Sequence, residues 1–391
     1  MKNRITILTG AGLTAGSDFF GITTQGVTQA FLDYMHPDLS DANDTVKFIY
    51  GEYCFWNKMD RTNVRQNLGQ INFETILQII EELFSYIEDI DRTNHQSKYH
   101  NSIKNTVYSL NRHLAAHIMR VRTPKYKDST YIFIEKLYNH LIDLIVSTVS
   151  TVNDSPDNAG MTEFAAFLDR ELGAATTKKR IYTLNYDSWL NKYRDYFDGF
   201  KGDTFDSSGT MYDRGIDCHF NLHGCVLWDS FQPKKHKVPQ DRKHSQSFTG
   251  YTISREALLP SPIISGYNKL TRINSSPYLE IFHSLASDIV KADKIIAIGY
   301  SFADVHVNNY LRLRARDVKV VIVVYHPASE LSSDNSPLNL LLELVSDLFK
   351  EQFTKKQIRV GLNHTIDSDS GKVSVFIDGI GQSFYGEFPN I

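Results

Sequence analysis

The chain has 391 residues, enough for two domains or for one large domain that carries an insertion. Hydrophobic residues make up 41% and charged residues 22%, with a net charge of -3, which is typical of a globular protein. This near-neutral balance gives no case for nucleic-acid binding. Because polar residues interrupt the apolar stretches and no signal peptide is evident, we expect a cytoplasmic protein without a membrane span.

The three cysteines, Cys54, Cys218 and Cys225, are too few and too scattered for a disulfide framework. Cys218 and Cys225 flank His219 and His223, so zinc is one interpretation of this segment. The spacing fits no common zinc finger, and the chain contains no C-x-x-C pair. We therefore expect no metal.

A glycine turn follows the first predicted strand. Residues 4–9 form a buried strand pattern that runs into Gly10-Ala11-Gly12-Leu13-Thr14-Ala15-Gly16. Glycines at such a junction let the backbone approach a pyrophosphate, although a turn without a ligand is the alternative. Three residues separate Gly12 from Gly16, whereas the dehydrogenase fingerprint has two, and no acidic strand end follows about 20 residues later. Hydride transfer is therefore disfavoured, and the missing Gly-Lys-Ser/Thr excludes a P-loop.

A long helical region follows the glycine turn. Apolar residues recur at three- and four-residue steps from about 72 to 90, which predicts a helix with Asn72 as its N-cap. Similar spacing predicts helices at roughly 100–121, 130–150 and 162–172. We therefore predict one domain over residues 1–391 with a mainly helical insertion at about 30–178.

The second half alternates strands and helices. Strand patterns appear at 180–184, 219–222, 294–298 and 318–325, with helical segments between most of them. This alternation predicts an α/β fold, a Rossmann-like doubly wound parallel sheet with the large helical insertion after its first strand. A basic stretch at 234–244 reads as a surface loop or as a contact for an anionic partner.

Polar side chains follow two of these strands. Asn185 and Asp187, in Thr183-Leu184-Asn185-Tyr186-Asp187, come after the strand at 180–184, where open α/β sheets bind ligands. Alternatively, they only cap a helix that begins near Ser188. His223, in Leu222-His223-Gly224, ends the next strand, and a histidine can accept a proton at neutral pH. A structural role for this histidine is the alternative.

In this order the motifs resemble the sirtuin family, across roughly residues 10–326. Gly10-Ala11-Gly12-x-Thr14 resembles the family's Gly-Ala-Gly-x-Ser turn, and Thr183-Leu184-Asn185-Tyr186-Asp187 its Thr-Gln-Asn-Ile-Asp. Leu222-His223-Gly224 is similar to the catalytic His-Gly, and Gly299-Tyr300-Ser301 to the later Gly-Thr-Ser. The family's two C-x-x-C pairs and the arginine after the glycine turn are missing, which argues against protein deacetylation.

Two further segments look like the sirtuin-like domains of bacterial anti-phage systems. They are Asn72-Phe73-Glu74-Thr75-Ile76-Leu77 and Gly299-Tyr300-Ser301-Phe302-Ala303-Asp304. The chain is most like the sirtuin-like subunit that pairs with a HerA-type ATPase. This resemblance implies an NAD+ glycohydrolase that releases nicotinamide and ADP-ribose and depletes NAD+ in defence. It also implies a homo-oligomer and a HerA-type ATPase or translocase as partner.

The resemblance assigns roles to individual residues. Asn185 and His223 would be catalytic. The residues expected to contact NAD+ are Gly10, Ala11, Gly12, Thr14, Asp187, Gly299, Ser301, Asp304, Tyr325 and His326. Asp304 can equally be a helix cap. Two other functions remain open: an NAD-dependent deacylase or ADP-ribosyltransferase, and a sensor that binds NAD or ADP-ribose without turnover.

Overall fold

The computed structural model describes most of the chain. The described residues are 4–15, 23–33, 40–93, 130–154, 159–170, 178–212, 215–229, 234–235, 261–264, 269–314, 317–324, 337–354, 359–360 and 364–379. The predicted helix at 100–121 and most of the basic stretch at 234–244 lie outside these ranges. Within them, no helix combines the length and the apolar character needed to cross a membrane.

The strands, in chain order, are β1 (Ile5–Thr9), β2 (Lys179–Thr183), β3 (Phe200–Lys201), β4 (Thr204–Phe205), β5 (Cys218–Asn221), β6 (Lys294–Ile298), β7 (Lys319–Val323), β8 (Arg359–Val360), β9 (His364–Asp367) and β10 (Val373–Phe376). The described helices are α1 (Ala11–Ala15), α2 (Thr24–Asp33), α3 (Ser40–Trp56), α4 (Val64–Asn67), α5 (Phe73–Thr93), α6 (Thr130–Asp154), α7 (Ala159–Arg170), α8 (Leu190–Tyr193), α9 (Ser207–Tyr212), α10 (Lys269–Ile273), α11 (Tyr278–Lys291), α12 (Val305–Leu311) and α13 (Pro337–Phe349).

The central sheet has eight strands in the order β5-β2-β1-β6-β7-β10-β9-β8. The first six are parallel, and β9 and β8 continue the sheet in antiparallel pairing. Numbered along the chain, the six parallel strands follow the order 3-2-1-4-5-6, which is that of the dinucleotide-binding Rossmann fold. The predicted fold class is therefore confirmed. The strand order reverses between β1 and β6, and ligands bind outside the carboxyl ends of strands at such a point.

Two hydrophobic clusters cover the sheet, one on each face. Successive strand residues point to opposite faces, so on β1 Leu8 belongs to the larger cluster and Ile7 to the smaller. The larger cluster contains buried residues of α5, α6, α11 and α13, whereas the smaller contains those of α7 and α8. This arrangement explains why the strands read as continuous apolar runs.

The helical region lies between α1 and β2 in the chain. The apolar stripe of α5 is buried, and α5 packs against α6. The side-chain oxygen of Asn72 accepts hydrogen bonds from the amides of Glu74 (3.0 Å) and Thr75 (3.3 Å), so the predicted N-cap is confirmed. α6 and α7 correspond to the predicted helices at 130–150 and 162–172. Because residues of α5 and α6 share the larger cluster with the sheet, the helices are an integral part of the core.

Candidate functional site

Two glycine-containing loops pack against each other at the carboxyl ends of β1 and β6. The amide of Gly10 donates to the carbonyl of Ile298, and that of Gly12 to the carbonyl of Gly299, both at 3.0 Å. Gly299 has a φ of 61°, and a Cβ placed on it would lie 2.1 Å from the amide nitrogen of Leu13. The contact between these loops therefore requires glycine at position 299.

The glycine turn also has a structural role, because its amides form backbone hydrogen bonds. The amide of Leu13 donates to the carbonyl of Gly10, so the amides of residues 10, 12 and 13 all have backbone partners. Gly12 is exposed at this edge, and Ala11 is half-buried. A phosphate contact by Gly10, Ala11, Gly12 and Thr14 remains a prediction.

The loop after β2 holds Asn185 at the same edge. The ladder between β1 and β2 continues past the strand ends, because the amide of Leu184 donates to the carbonyl of Thr9 at 2.9 Å. The amide of Asn185 then donates to Oγ1 of Thr183 at 3.0 Å. These bonds turn the chain out of the sheet at its carboxyl end, and Asn185 is half-buried there.

Asp187 is buried in the turn before α8. Burial raises the pKa of this carboxyl group, and hydrogen bonds from the Trp189 amide (3.1 Å) and the Asn185 side chain oppose the increase. The carboxylate thus stabilises its own turn. The predicted cap of a helix near Ser188 is wrong, because α8 begins at Leu190 and its N-cap position, Trp189, makes no side-chain cap bond. Its contact with NAD+ stays a prediction.

Asn221 joins the two predicted catalytic loops. This buried side chain ends β5, and its Nδ2 donates to the carbonyls of Asn185 (2.9 Å) and Asp187 (2.8 Å). A further link runs from the amide of Val226 to the carbonyl of Tyr186 at 2.9 Å. Sequence reasoning missed Asn221, although an asparagine at the end of a buried strand is a usable signal.

His223 faces a buried carboxylate. Its Nε2 lies 2.9 Å from Oδ2 of Asp304, and Lys269 forms an ion pair with the same oxygen. The side chains of His223 and Asp304 are 6% and 5% exposed.

Asp304 also caps α12. Its Oδ1 accepts hydrogen bonds from the amides of His306 and Val307, both at 2.9 Å. Burial alone would raise the pKa of Asp304, but His223 and Lys269 outweigh it and hold the pKa well below its usual range. The predicted cap is confirmed, whereas a contact with the adenosine ribose remains a prediction. No local sequence pattern indicates the role of Lys269.

Hydrogen bonds among its own residues and Asn308 of α12 stabilise the loop between β6 and α12. The hydroxyl of Tyr300 donates to Oδ1 of Asn308 (2.8 Å), and Nδ2 of Asn308 donates to the carbonyl of Phe302 (2.7 Å). Ser301 is exposed at the edge of this loop. Tyr325 and His326 lie outside the described residues, so their predicted contacts are untested.

The residues considered for zinc do not converge. Among the described residues, no three His, Cys, Asp or Glu side chains form a group that could hold a metal ion. Burial, reinforced by the charge of Lys235, lowers the pKa of His219 to about 3, and Nδ1 of His219 lies 2.9 Å from Oδ1 of Asn191. Burial raises the pKa of Cys225 to about 12, so the thiolate that zinc requires is disfavoured there.

A separate cleft of about 560 Å³ lies at the amino ends of β2 and β5. Its lining includes Lys178, Asn191, Asp198, Asp217 and Lys235. None of the predicted site residues lines it, so the cleft and the loops described above are different places on the molecule.

Comparisons with known proteins leave the family open. No family model and no curated protein matches the chain. The chain is similar to a solved structure described as a crystal structure of a Sir2 homolog-NAD complex, with 14% identity, a TM-score of 0.38, and coverage of 89% of this chain and 90% of that one. A similarity with so low a TM-score and identity does not establish a shared fold or function. The fold assignment rests on the strand order of the sheet itself.

Proposed function

We propose that this protein is a sirtuin-like NAD+ glycohydrolase, which releases nicotinamide and ADP-ribose. One observation carries the proposal: Asn221 joins the loops of Asn185 and His223 at the carboxyl edge of the parallel sheet, with the His223 ring beside the charged carboxylate of Asp304. The order of the sirtuin-like motifs along the chain supports the same activity.

The point where the strand order reverses, between β1 and β6, is where this fold binds dinucleotides. In this fold the pyrophosphate lies across the carboxyl ends of the two central strands, which here are β1 and β6. Gly12 and Ser301 are exposed at those ends. We propose that Gly10, Ala11, Gly12 and Thr14 hold the phosphates and that Asp187 contacts the nicotinamide carboxamide. The residues proposed to line the adenosine side are Gly299, Ser301, Asp304, Tyr325 and His326.

The reaction needs an acceptor for one proton. The bond between the ribose anomeric carbon and the nicotinamide nitrogen breaks, and its electron pair leaves with nicotinamide, which becomes neutral. A water oxygen bonds to the anomeric carbon, and the water gives its proton to His223. Asn185 holds a ribose hydroxyl or the attacking water. The anionic Asp304 stabilises the imidazolium that forms, as a carboxylate does beside a catalytic histidine.

We further propose that the protein depletes cytoplasmic NAD+ in anti-phage defence, as a homo-oligomer with a HerA-type ATPase partner. The support is the resemblance of the Asn72–Leu77 and Gly299–Asp304 segments. An uncontrolled NAD+ hydrolase would harm its own cell, which favours regulation by assembly.

The test is nicotinamide release from NAD+ by the purified chain, alone and with the ATPase, without an acyl peptide. We expect release that is lost in Asn185→Ala and in His223→Ala, while both variants keep the wild-type melting temperature. Turnover at the wild-type rate in either variant would refute the site. Release only with an acyl peptide would identify a deacylase, and tight NAD+ binding without turnover in either setting would identify a sensor.

A further inference from the structure

Helix α5 presents two glutamates to the loops of the candidate site. Glu74 and Glu81 are seven residues apart, which is close to two helical turns, so both side chains lie on one face. Glu74 contacts the loop of Asn185, and Glu81 contacts α10, the helix that carries Lys269. The function proposed above does not explain either acid.

Glu74 holds the residue between Asn185 and Asp187. The hydroxyl of Tyr186 donates to Oε1 of Glu74 at 3.1 Å, and its ring packs edge-on against Phe73, with centroids 6.4 Å apart. Burial of the hydroxyl and the neighbouring Glu74 carboxylate keep the pKa of Tyr186 well above its usual value. Tyr186 is therefore a permanent donor to α5. The amide of Val226 bonds the Tyr186 carbonyl, so the same residue also contacts the His223 loop.

Glu81 reaches the site by way of α10. Its Oε1 accepts hydrogen bonds from Nη2 of Arg272 (3.0 Å) and from the hydroxyl of Tyr138 (2.8 Å). Arg272 and Lys269 are three residues apart on α10, and Lys269 pairs with Asp304 beside His223. A continuous series of contacts thus runs from α5 to the histidine.

An apolar pair could occupy the positions of Glu81 and Arg272 without a desolvation penalty. The Glu81 and Arg272 side chains are 2% and 8% exposed, and burying two charges carries a desolvation penalty that apolar residues of similar volume avoid. A buried ion pair fixes one geometry, however, because its atoms must meet in register. This favours a role in placing α10 over a role in stability alone.

We propose that Glu74 and Glu81 are positioning residues, through which α5 sets the loops of Asn185 and His223 for reaction. The inference rests on the proposed function for its kinetic part. Glu74 acts through the loop of Asn185, and Glu81 acts through α10. Loss of either contact therefore misplaces a catalytic side chain while the sheet beneath stays intact.

The kinetic test uses Glu74→Ala and the triple variant Tyr138→Phe/Glu81→Met/Arg272→Met. The triple variant replaces both charges by apolar side chains of similar length and removes the Tyr138 hydroxyl that would lose its acceptor, so it should fold even if a single charge removal does not. We expect kcat for nicotinamide release to fall about 10- to 100-fold in each, with KM for NAD+ and the melting temperature close to wild type. Glu82→Gln is the matched control, because the Glu82 carboxylate accepts a hydrogen bond from Gln78 of the same helix. It should retain wild-type kcat.

Hydrogen exchange tests the positioning without turnover. We expect amides at 184–187, 222–226 and 299–304 to exchange faster in both variants, while those of β1 and β6 remain protected. Unchanged kcat together with unchanged exchange would overturn the proposal, as would a kcat loss that appears only with a lowered melting temperature. If wild type shows no turnover either alone or with the ATPase, the proposed function fails, and the exchange data still decide whether α5 positions these loops.

Discussion

Nε2 of His223 and Oδ2 of Asp304 are 2.9 Å apart in the interior of the protein, and one carboxylate thereby connects three elements. Oδ2 also pairs with Lys269 on α10, and Oδ1 caps α12. A charged group this deeply buried is stable only because each oxygen has partners. The contact therefore fixes the distance between the loop after β5, which carries His223, and the loop after β6, which carries Asp304.

We predict that Asp304→Asn lowers kcat for nicotinamide release by about 10²-fold, because the neutral amide no longer stabilises an imidazolium at His223. The amide oxygen can still cap α12, so the fold should persist with a lowered melting temperature. Steady-state kinetics at saturating NAD+ measure the effect. Asp347→Asn is the control, since Asp347 is an exposed acid paired with Lys350. Wild-type kcat in Asp304→Asn would contradict the role given to this carboxylate.

We predict that Asn221→Ala lowers both stability and activity. The variant removes two hydrogen bonds to the loop of Asn185, and each contributes about 1 kcal/mol to the free energy of unfolding. The freed loop should lower kcat about tenfold or more, as small displacements of catalytic groups do. Urea unfolding and nicotinamide release measure the two effects. Asn309→Ala, at an exposed position of α12, should change neither.

The sequence allowed the parallel sheet to be predicted, because its signals are local. Apolar runs identified β1, β2, β5, β6 and β7, and the glycine turn located the end of β1. The short strands β3, β4 and β8 to β10 were missed. Each has only two to four residues, and polar residues stand among the buried positions of β9 and β10, which is a weak pattern.

The site could be predicted only as separate loops. Asn185 and His223 follow strands that the sequence identifies, and the parallel sheet brings their loops to one edge. The partners that fix those loops, Asn221 and Lys269, make contacts far along the chain, and no local pattern encodes such pairings. Asp304 illustrates the limit: its sequence context predicted a cap, but not the pairing with His223.

We predict that Gly299→Ala is far more destabilising than Gly371→Ala. Both glycines have positive φ, at 61° and 71°, so each substitution strains the backbone by about 1–2 kcal/mol. A Cβ at 299 would also meet the backbone of residues 12 and 13, whereas none of the described atoms lies within 4 Å of one at 371. Urea unfolding measures the loss of unfolding free energy in each variant. The difference between the two losses is the cost of moving the loop of Gly299 away from residues 12 and 13. Equal losses would show that the loop contact tolerates a side chain.

The last prediction concerns stability in mild acid. Burial lowers the pKa of His219 to about 3, whereas an unfolded histidine titrates near 6.5. Between these values the unfolded chain binds a proton that the folded protein does not. The contribution of His219 is therefore complete above about pH 6.5 and decreases as the pH falls toward 3, by about 1 kcal/mol per pH unit. In His219→Gln this part of the pH dependence should disappear. Urea unfolding at pH 7, 6 and 5 measures both slopes, and parallel slopes in the two proteins would show that the ring is protonated within the folded structure.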